Sequence, residues 1–386
     1  MHIVVLPSWY PSDSHDAAGS FFREQAIALK ESGMNISVLA VCLHGLRNYK
    51  AIFKQGIAES VDSQLPTHRL HLMRWLPRSD KFDAVIVTAG LHFLFKRYIK
   101  KYGLPDVIHA QCALFGGVVA QQLSAKYGIP YIVTEHCSIY ARGLVSTSDK
   151  ARANTVFEHA HKLIAVSKPF AEDLKKAFDA PHQTWGIIPN MVEQRFLDDF
   201  ENTQPNTSFS FISIGSLNKN KAIDTLIRAF HRAFKGNEQV TLTIAGDGVE
   251  RMNLEALSSQ LQLTKQIKFI GSISRQRALE EIKSANALVS ASLYETFGVV
   301  LIEALALGKP VIATRCGGPE TIVTDKVGLL ADKNSVDSLS IQLTTLYQNY
   351  NQYDPEAIHN YCQQNYSKQA YTNLMRQQFN NVIKKA

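Results

Sequence analysis

The 386-residue sequence is poor in cysteine and has no long apolar run. Its five cysteines form no Cys-x-x-Cys pair, which excludes a zinc knuckle and a dithiol redox motif and predicts reduced thiols in a reducing compartment. The longest apolar stretch, residues 84–95, includes Thr88 and His92 and is shorter than the roughly 20 residues that a membrane span needs. The first residues, MHIVVLPSWYPSD, lack the features of a signal peptide, so we expect a cytoplasmic protein.

Several nucleotide-binding motifs are also missing. No Gly-x-x-x-x-Gly-Lys-[Ser/Thr] occurs, which argues against a P-loop NTPase. AGDG (245–248) begins a Gly-x-Gly, but Arg251 stands where the dinucleotide fingerprint requires its third glycine. The sequence has neither a tandem repeat nor a low-complexity tract, and its 45% apolar and 19% charged residues are typical of a globular protein.

The excess of basic residues is local. Net charge is +7, from 41 Lys and Arg against 34 Asp and Glu, and residues 47–101 alone carry 11 basic and 4 acidic residues. This distribution argues against a nucleic-acid binder and predicts a surface that meets an anionic partner. KRYIKK (96–101) follows an apolar helix, a combination typical of a peripheral protein on an anionic membrane, here the inner face of the cytoplasmic membrane. The alternative is a solvated helix face.

Short apolar runs alternate with helical patterns along the whole chain, which is typical of parallel sheets covered on both faces. In the first half, the pattern predicts helices at 20–32, 117–127 and 168–178, and strands at 2–6, 35–41, 106–109, 130–134, 162–166 and 184–188. The alternation then restarts, with helices near 222–235, 249–262, 275–284 and 299–307, and strands at 209–214, 240–245, 267–270, 287–291 and 310–314.

These two series predict an α/β chain of two doubly wound, Rossmann-like domains. ENTQPNTS (201–208) is polar and aperiodic, so we expect it to link a domain at 1–200 to a domain at 209–366. The tail, 367–386, is predicted to be an amphipathic helix with too little apolar surface to stand alone, and we expect it to pack back onto the first domain. Open α/β sheets bind ligands at the carboxyl ends of their strands, so the domains are expected to face each other across one cleft.

The segment ALVSASLYETFGVVLIEALALGKPVIAT (287–314) gives the strongest functional signal. Eight of the nine residues 299–307 are apolar and the exception is Glu303, so the helix must be buried and its carboxylate needs a partner. One interpretation is a structural ion pair with a neighbouring basic residue. The other is a ribose diol, with the diphosphate of the same ligand at the helix N-terminus beside Gly298.

Glu295 and Glu303 have seven residues between them and lie after a Ser-rich strand end and before GKPVIAT. This pattern resembles the signature of the retaining glycosyltransferases of family four, which have the GT-B fold. In the first half, PSWYPS…GSFFREQAIAL and PDVIHAQ…TEHCS are similar to bacterial members that build surface polysaccharides. Three further segments resemble the family in the expected order, namely IIPNMVEQRF (187–196), IGSLNKNKAIDTLIRAF (214–230) and CGGPETI (316–322).

The resemblance implies that the first domain binds the acceptor and the second binds a nucleotide-sugar donor. It implies that Lys221 contacts the donor phosphates, Glu303 the ribose and Glu295 the transferred sugar. The other donor-binding residues that it implies are the backbone of Gly298, Val299 and Val300 at the diphosphate, and Gly317, Gly318 and, less strongly, Glu320 beside the sugar. On the residues alone, Lys221 is equally consistent with a solvated lysine at a helix start.

The chain departs from the family pattern at two positions. Ser216 stands where most members have a phosphate-binding arginine, so charge neutralisation rests on Lys221, with Lys219 as a possible substitute. Gln111 stands where many members have the second histidine of a His-x-His, whose first histidine is His109.

Three residues of the first domain are candidates for the site. His136 at a strand end and His109 are candidate catalytic residues, although either histidine is also consistent with a structural role. Gly19 opens a helix after a long loop and is expected to let that loop approach the donor phosphates.

The resemblance implies a retaining hexosyltransferase that acts in surface polysaccharide synthesis, with a glycan or lipid-linked glycan as acceptor. We expect no cofactor besides the nucleotide diphosphate sugar, and favour a UDP-sugar over a GDP-sugar. No Asp-x-Asp is present to hold a divalent ion, so a metal-independent reaction is expected, in which the helix N-terminus and Lys221 stabilise the leaving diphosphate. The alternatives are a nucleotide-sugar epimerase of related fold and a non-catalytic binding protein for a sugar nucleotide or glycan.

Overall fold

The computed structural model describes residues 1–13, 19–45, 55–62, 64–74, 80–180, 182–202 and 208–384, with the side chains of all but 80 and 81. The chain divides into two compact units. The first comprises Met1–Val166, Ala171–Ile188 and Tyr371–Ala386, and the second comprises Ser167–Phe170 and Pro189–Ala370.

The division falls at Ile188, whereas the sequence assigned residues up to 200 to the first domain. The reason is local packing, because Glu193 and Phe196 both contact Arg275 of the second unit. Of the expected linker at 201–208, residues 203–207 lie outside the described residues.

The first unit is built on one sheet. Its strands are β1 (His2–Pro7), β2 (Asn35–Gly45), β3 (Gly56–Asp62), β4 (Leu65–Arg74), β5 (Val107–Gln111), β6 (Tyr131–Glu135), β7 (Lys162–Ala165) and β8 (Trp185–Ile187). Among the described residues they take the order β3-β4-β2-β1-β5-β6-β7-β8, parallel except for the edge pair β3 and β4. The connecting helices are α1 (Ser20–Glu31), α2 (Asp80–Tyr102), α3 (Val118–Tyr127), α4 (Thr147–His159) and α5 (Lys168–Ala177).

The second unit is built on a parallel sheet of the order β11-β10-β9-β12-β13-β14. These strands are β9 (Phe209–Ile214), β10 (Val240–Ala245), β11 (Ile267–Gly271), β12 (Ala287–Ser290), β13 (Val311–Thr314) and β14 (Gly328–Ala331). Its helices are α6 (Gln194–Asp198), α7 (Ile223–Phe234), α8 (Arg251–Gln260), α9 (Arg275–Ser284), α10 (Val299–Ala306), α11 (Val336–Gln348) and α12 (Pro355–Tyr366). Its core includes buried Phe211, Phe230 and Leu343.

The last helix, α13 (Lys368–Ile383), joins the first unit from Tyr371 onward. The Tyr371 hydroxyl donates to Gln25 Oε1 at 3.3 Å, and the Arg376 guanidinium donates to the Ser32 carbonyl oxygen at 2.5 Å. The ring of Phe379 is fully buried and lies 5.5 Å from the ring of His109. The C-terminal segment therefore completes the core of the N-terminal unit.

Three strands were not predicted from the sequence. β14 is short, and β3, with the sequence GIAESVD, is a polar edge strand without a continuous apolar run. β4 contains Arg69, which the sequence suggested was part of a basic surface. Arg69 is instead only 3% exposed, because its guanidinium donates to Asp62 at 2.5 Å and to the Pro11 carbonyl oxygen at 2.9 Å.

Candidate functional site

Three loops of the second unit meet at the carboxyl ends of neighbouring strands. They follow β9, β12 and β13, which lie side by side in the sheet. The Leu293 N–H donates to the Asn220 carbonyl oxygen at 2.7 Å, and the Asn220 amide donates to the Tyr294 carbonyl oxygen at 3.0 Å. The Gly318 N–H donates to the Glu295 carbonyl oxygen at 2.8 Å. The loops therefore hold most of the predicted donor-binding residues in one place.

Lys221 and Glu295 form an ion pair where these loops meet. The Lys221 Nζ lies 2.5 Å from Glu295 Oε1, and the Ser292 hydroxyl donates to the same oxygen at 2.8 Å. The side chains of Lys221 and Glu295 are 25% and 18% exposed. Lys221 is thus not a solvated lysine. A cation suited to a phosphate and an acceptor suited to a sugar hydroxyl lie side by side.

Gly317 and Gly318 make the loop after β13 possible. Gly317 has a φ of 111°, which L side chains rarely adopt. A Cβ at Gly318 would collide with the backbone of Phe297, so the two loops approach more closely than any other residue would allow. Glu320 is exposed, and its Oε1 accepts the Gly317 N–H at 3.1 Å, which assigns it a contact within this loop.

The N-terminus of α10 is opened by Gly298, whose φ is 109°. The first helical residues, Val299 and Val300, are half-buried, and the rest of the helix up to Ala306 is buried. Backbone N–H groups in the first turn of a helix have no intrahelical acceptor, and they attract anions. The helix start next to Phe297 and Gly318 is therefore suited to a phosphate.

Glu303 is buried on α10 and forms an ion pair with Arg275. The Arg275 Nη1 donates to Glu303 Oε1 at 2.5 Å, and Nη2 donates to Glu193 Oε2 at 3.2 Å. Burial raises the pKa of the Glu303 carboxyl, and the positive charge of Arg275 opposes this rise. The structure thus contains the ion pair that the sequence left open as one interpretation of Glu303, and the ribose contact stays a prediction.

Arg275 was not singled out from the sequence. It is the first residue of α9, whose start is fixed by Ser274, the hydroxyl of which accepts the Arg277 N–H at 3.2 Å. Its guanidinium lies 5.4 Å from the centre of the Phe196 ring. The one signal in the sequence was indirect, because a buried carboxylate on an apolar helix requires a cation from elsewhere in the chain.

Ser216 and Lys219 lie on the exposed side of the loop after β9. The Ser216 carbonyl oxygen accepts a hydrogen bond from the Asn218 N–H at 2.9 Å, and this bond helps to shape the turn that leads to Lys221. Lys219 is exposed, whereas Lys221 is directed to Glu295. This placement favours Lys221 over Lys219 as the phosphate-binding cation.

In the first unit, His136 is held by Gln111. His136 Nε2 lies 2.8 Å from Gln111 Oε1, and the Gln111 amide nitrogen donates to Gln25 Oε1 at 3.2 Å. Because Gln111 Oε1 can only accept, His136 Nε2 carries the proton of this hydrogen bond. The rings of Phe21 and Phe22 lie 5.3 and 5.2 Å from the imidazole. Gln111 therefore orients the histidine.

Glu135 is a further residue that the sequence did not single out. It is fully buried, and it accepts the N–H groups of Ala113 at 2.9 Å, His136 at 3.0 Å and Cys137 at 2.8 Å. Burial raises the pKa of this carboxyl, and the three backbone hydrogen bonds oppose the rise. Glu135 thus ties the loop of His136 to the loop after β5.

His109 is enclosed within the first unit. It is fully buried within β5, its Nε2 lies 2.8 Å from the Thr134 hydroxyl, and its ring packs on Phe379. Burial lowers the pKa of His109 to about 3. A neutral, enclosed imidazole fits the structural role that the sequence left open for His109, and its catalytic role stays a prediction.

Gly19 begins α1 with a φ of 75°. A Cβ at this position would lie 2.9 Å from Trp9 Cδ1 and 3.2 Å from the Trp9 carbonyl oxygen. Glycine is therefore required for the approach of the preceding loop, whose residues 14–18 lie outside the described residues. The expected phosphate contact of Gly19 stays a prediction.

Among the described residues, no group of three or more His, Cys, Asp or Glu side chains is arranged to hold a metal ion. None of the helices in the same ranges combines the length and apolar character that crossing a bilayer requires.

Comparisons with known proteins support this architecture. Residues 18–195 match the family model described as Glycosyltransferase Family 4, and residues 194–365 match the model described as Glycosyl transferases group 1. Sucrose-phosphate synthase from Thermosynechococcus elongatus has a similar structure, with a TM-score of 0.81 and 21% identity over 100% of both chains. Anabaena HepE in complex with UDP and glucose has a TM-score of 0.73 and 18% identity, over 99% of this chain and 100% of that one.

The two parallel α/β units and these structural likenesses define the fold as GT-B. The two family models meet at residues 194–195 and together match residues 18–365, so the chain belongs to the family-4-like glycosyltransferases. An uncharacterized glycosyltransferase of Methanocaldococcus jannaschii is 29% identical over 191 residues, which are 46% of this chain and 49% of the relative. The chain thus spans about half the length of this curated relative.

Proposed function

We propose that the protein is a retaining glycosyltransferase that moves a hexose from a nucleotide diphosphate sugar to a glycan or lipid-linked glycan. The observation that carries the proposal is the meeting of the Lys221–Glu295 pair with the Gly317–Gly318 loop and the start of α10. A sugar diphosphate needs a cation, backbone N–H donors and a carboxylate close together, and the second unit supplies all three.

The donor would bind with its diphosphate at the start of α10 and with its charge neutralised by Lys221. Glu303 lies five residues beyond Gly298, or about 7 Å along the helix, which suits the distance from a diphosphate to its ribose. Arg275 would keep Glu303 ionised, so that both carboxylate oxygens can accept from the ribose diol. Glu295 would accept a hydrogen bond from a hydroxyl of the transferred sugar.

The proposed reaction is a front-side substitution. The bond between the anomeric carbon and the diphosphate oxygen breaks, while the acceptor oxygen forms a new bond to the same face of that carbon. The acceptor proton passes to the departing phosphate oxygen, so no protein nucleophile is required and the configuration is retained. Lys221 and the first N–H groups of α10 would stabilise the charge on the diphosphate without a metal ion.

In the first unit, His136, which Gln111 orients, stays the candidate for a contact with a substrate hydroxyl. A UDP-sugar is the favoured donor, in keeping with the UDP and glucose bound by the structurally similar HepE. The resemblance to enzymes that build surface polysaccharides favours a growing glycan as acceptor.

A thermal-shift screen of UDP-, GDP- and ADP-sugars tests the donor, followed by a transfer assay with the donor that binds. A ligand at 100 times its dissociation constant should stabilise the fold by about 2.7 kcal/mol. Transfer to a glycan with retained anomeric configuration supports the proposal. An epimerised free sugar nucleotide, or binding without any product, would instead support one of the two alternative functions.

A further inference from the structure

The outward side of α2 exposes large apolar side chains. Phe82, Val85 and Phe93 are 55%, 67% and 53% exposed, and Ala89 between them is exposed as well. Their steps of three and four residues place all four on one side of the helix. A continuous row of this kind is rare on a surface that meets only water, and it marks an interaction surface.

The same side of α2 continues into two lysines, Lys96 and Lys100, which are both exposed. We call the row Phe82, Val85, Ala89, Phe93, Lys96 and Lys100 the α2 outer face. With a rise of about 1.5 Å per residue, it is about 27 Å long. Its first three turns are apolar and its last two are basic.

Several basic residues of the segment 47–101 are neutralised by ion pairs. Arg69 and Arg74 pair with Asp62 and Asp83 at 2.5 and 2.6 Å, so they do not contribute an open positive surface. Arg97 and Lys101 both face Glu59, at 3.8 and 3.2 Å.

Within the ranges that the structure describes, neither Lys96 nor Lys100 has a carboxylate partner. Among the basic residues of this region whose side chains the structure describes, Lys96 and Lys100 are thus the two without an ion-pair partner, and both lie on the α2 outer face, directly after its apolar residues.

A pocket of about 440 Å³ opens beside the first turns of α2. It lies between Ala84 and Thr88 on the helix and Leu144 and Val145 on the loop after β6, and Phe115 forms part of its wall. Leu144 is 61% exposed at its rim. The apolar row therefore borders a second apolar feature of the same unit.

We propose that the α2 outer face binds an anionic membrane surface. Phe82, Val85 and Phe93 would lie among the headgroups, and Lys96 and Lys100 would contact anionic lipid. Apolar residues in line with unpaired lysines have the chemistry of an anionic bilayer surface, because such a surface offers hydrocarbon and negative charge together. The proposal does not depend on the chemistry of the donor site in the second unit.

Co-sedimentation with vesicles tests the proposal on the full chain. The vesicles are pure phosphatidylcholine or phosphatidylcholine with a quarter of phosphatidylglycerol. The wild type should sediment with the anionic vesicles, and K96Q/K100Q should weaken that binding roughly thirtyfold. The matched control is K326Q/K333Q, which removes the same charge from exposed lysines of the second unit and should bind like the wild type.

A second variant tests the contribution of the apolar residues of the α2 outer face. F82S/F93S should lose binding about tenfold or more, at low salt and at about 0.5 M salt, where the lysine contribution is screened. An unchanged donor-induced thermal shift would show that this variant is folded. The proposal is overturned if the wild type stays in the supernatant with anionic vesicles at low salt, or if F82S/F93S binds like the wild type. It is also overturned if the wild type is a dimer that ignores vesicles and becomes monomeric on F82S/F93S substitution, which would make the face an interface between copies.

Discussion

Arg275 bridges two carboxylates, with Glu303 at 2.5 Å from one terminal nitrogen and Glu193 at 3.2 Å from the other. Glu303 is almost completely buried, whereas Arg275 is 37% exposed. The carboxylate proposed to bind ribose is therefore already partnered within the protein. The guanidinium offsets the cost of keeping its charge in an apolar helix.

Replacement of Glu303 by alanine should weaken binding of the donor about a hundredfold, because two charge-assisted hydrogen bonds to the ribose diol are lost. Titration calorimetry with the donor found in the thermal-shift screen measures the effect. Glu238→Ala is the control, since Glu238 is exposed and pairs only with Lys265 in the described contacts. A donor affinity equal to that of the wild type would rule out the ribose role.

The pH dependence of donor binding should reveal the role of Arg275. Burial raises the pKa of Glu303 and Arg275 opposes the rise, while Glu193 raises it and Arg195 lowers it. Only the ionised carboxylate can accept both ribose hydroxyls, so affinity should increase as pH rises through this pKa and then level off.

In Arg275→Gln the opposing charge is gone, so the same increase should occur at higher pH. Arg275→Lys should largely restore the wild-type profile. Arg277→Gln removes the same charge from the exposed side of α9 and should leave the profile unchanged. Superimposable profiles for Arg275→Gln and Arg277→Gln would show that Arg275 does not set the ionisation of Glu303.

Glu295→Ala should lower the turnover number by about a hundredfold or more while nucleotide binding is kept, because the proposed contact is with the reacting sugar. Removal of the carboxylate also frees Lys221 from its ion pair, so the affinity for the nucleoside diphosphate should be equal or higher. Steady-state transfer kinetics and calorimetry with the diphosphate separate the two effects. Parallel losses in both would argue against the assignment.

Chelation should leave transfer intact, because the proposed stabilisation of the diphosphate comes from Lys221 and the N-terminus of α10. The assay compares initial rates with and without EDTA. A rate abolished by EDTA and restored by Mg²⁺ would show that the reaction needs a metal ion.

Gln111→Leu should destabilise the first unit by about 1–3 kcal/mol, since Gln25 and His136 would both lose a buried hydrogen-bond partner. Urea unfolding monitored by circular dichroism gives the change in free energy of unfolding. Gln122→Leu is the matched control, because Gln122 is exposed and pairs only with the half-buried His92 in the described contacts. Equal stability of the two variants would contradict the orienting role of Gln111.

The sequence predicted the elements that are defined by local patterns. α10 was predicted within one residue, because a continuous apolar run after a glycine specifies a buried helix. The same segment, residues 287–314, also indicated Glu295 and Glu303 as candidate functional residues. The Arg275–Glu303 pair could not be predicted, since its partners are 28 residues apart and only tertiary packing decides which cation meets a buried carboxylate.

The first unit shows why single residues were harder to place than elements. β5 was predicted, but a strand pattern does not say which side of a sheet faces a later helix. The sequence therefore left a catalytic and a structural role open for His109, whereas in the structure α13, far along the chain, covers it through Phe379. Gln111 was recognised as a departure from the family pattern at a histidine position, and its hydrogen bond to His136, 25 residues away, was not visible in the sequence.

The attachment of α13 to the first unit has a consequence for biosynthesis. Residues 1–188 leave the ribosome long before Tyr371, Arg376 and Phe379 are synthesised. These three later residues contact Gln25, Ser32 and His109, respectively. The N-terminal unit therefore cannot complete its core until Tyr371, Arg376 and Phe379 have been synthesised, and until then the apolar surface around His109 stays uncovered. A nascent chain or a fragment that stops before Tyr371 should depend on chaperones far more than the finished protein.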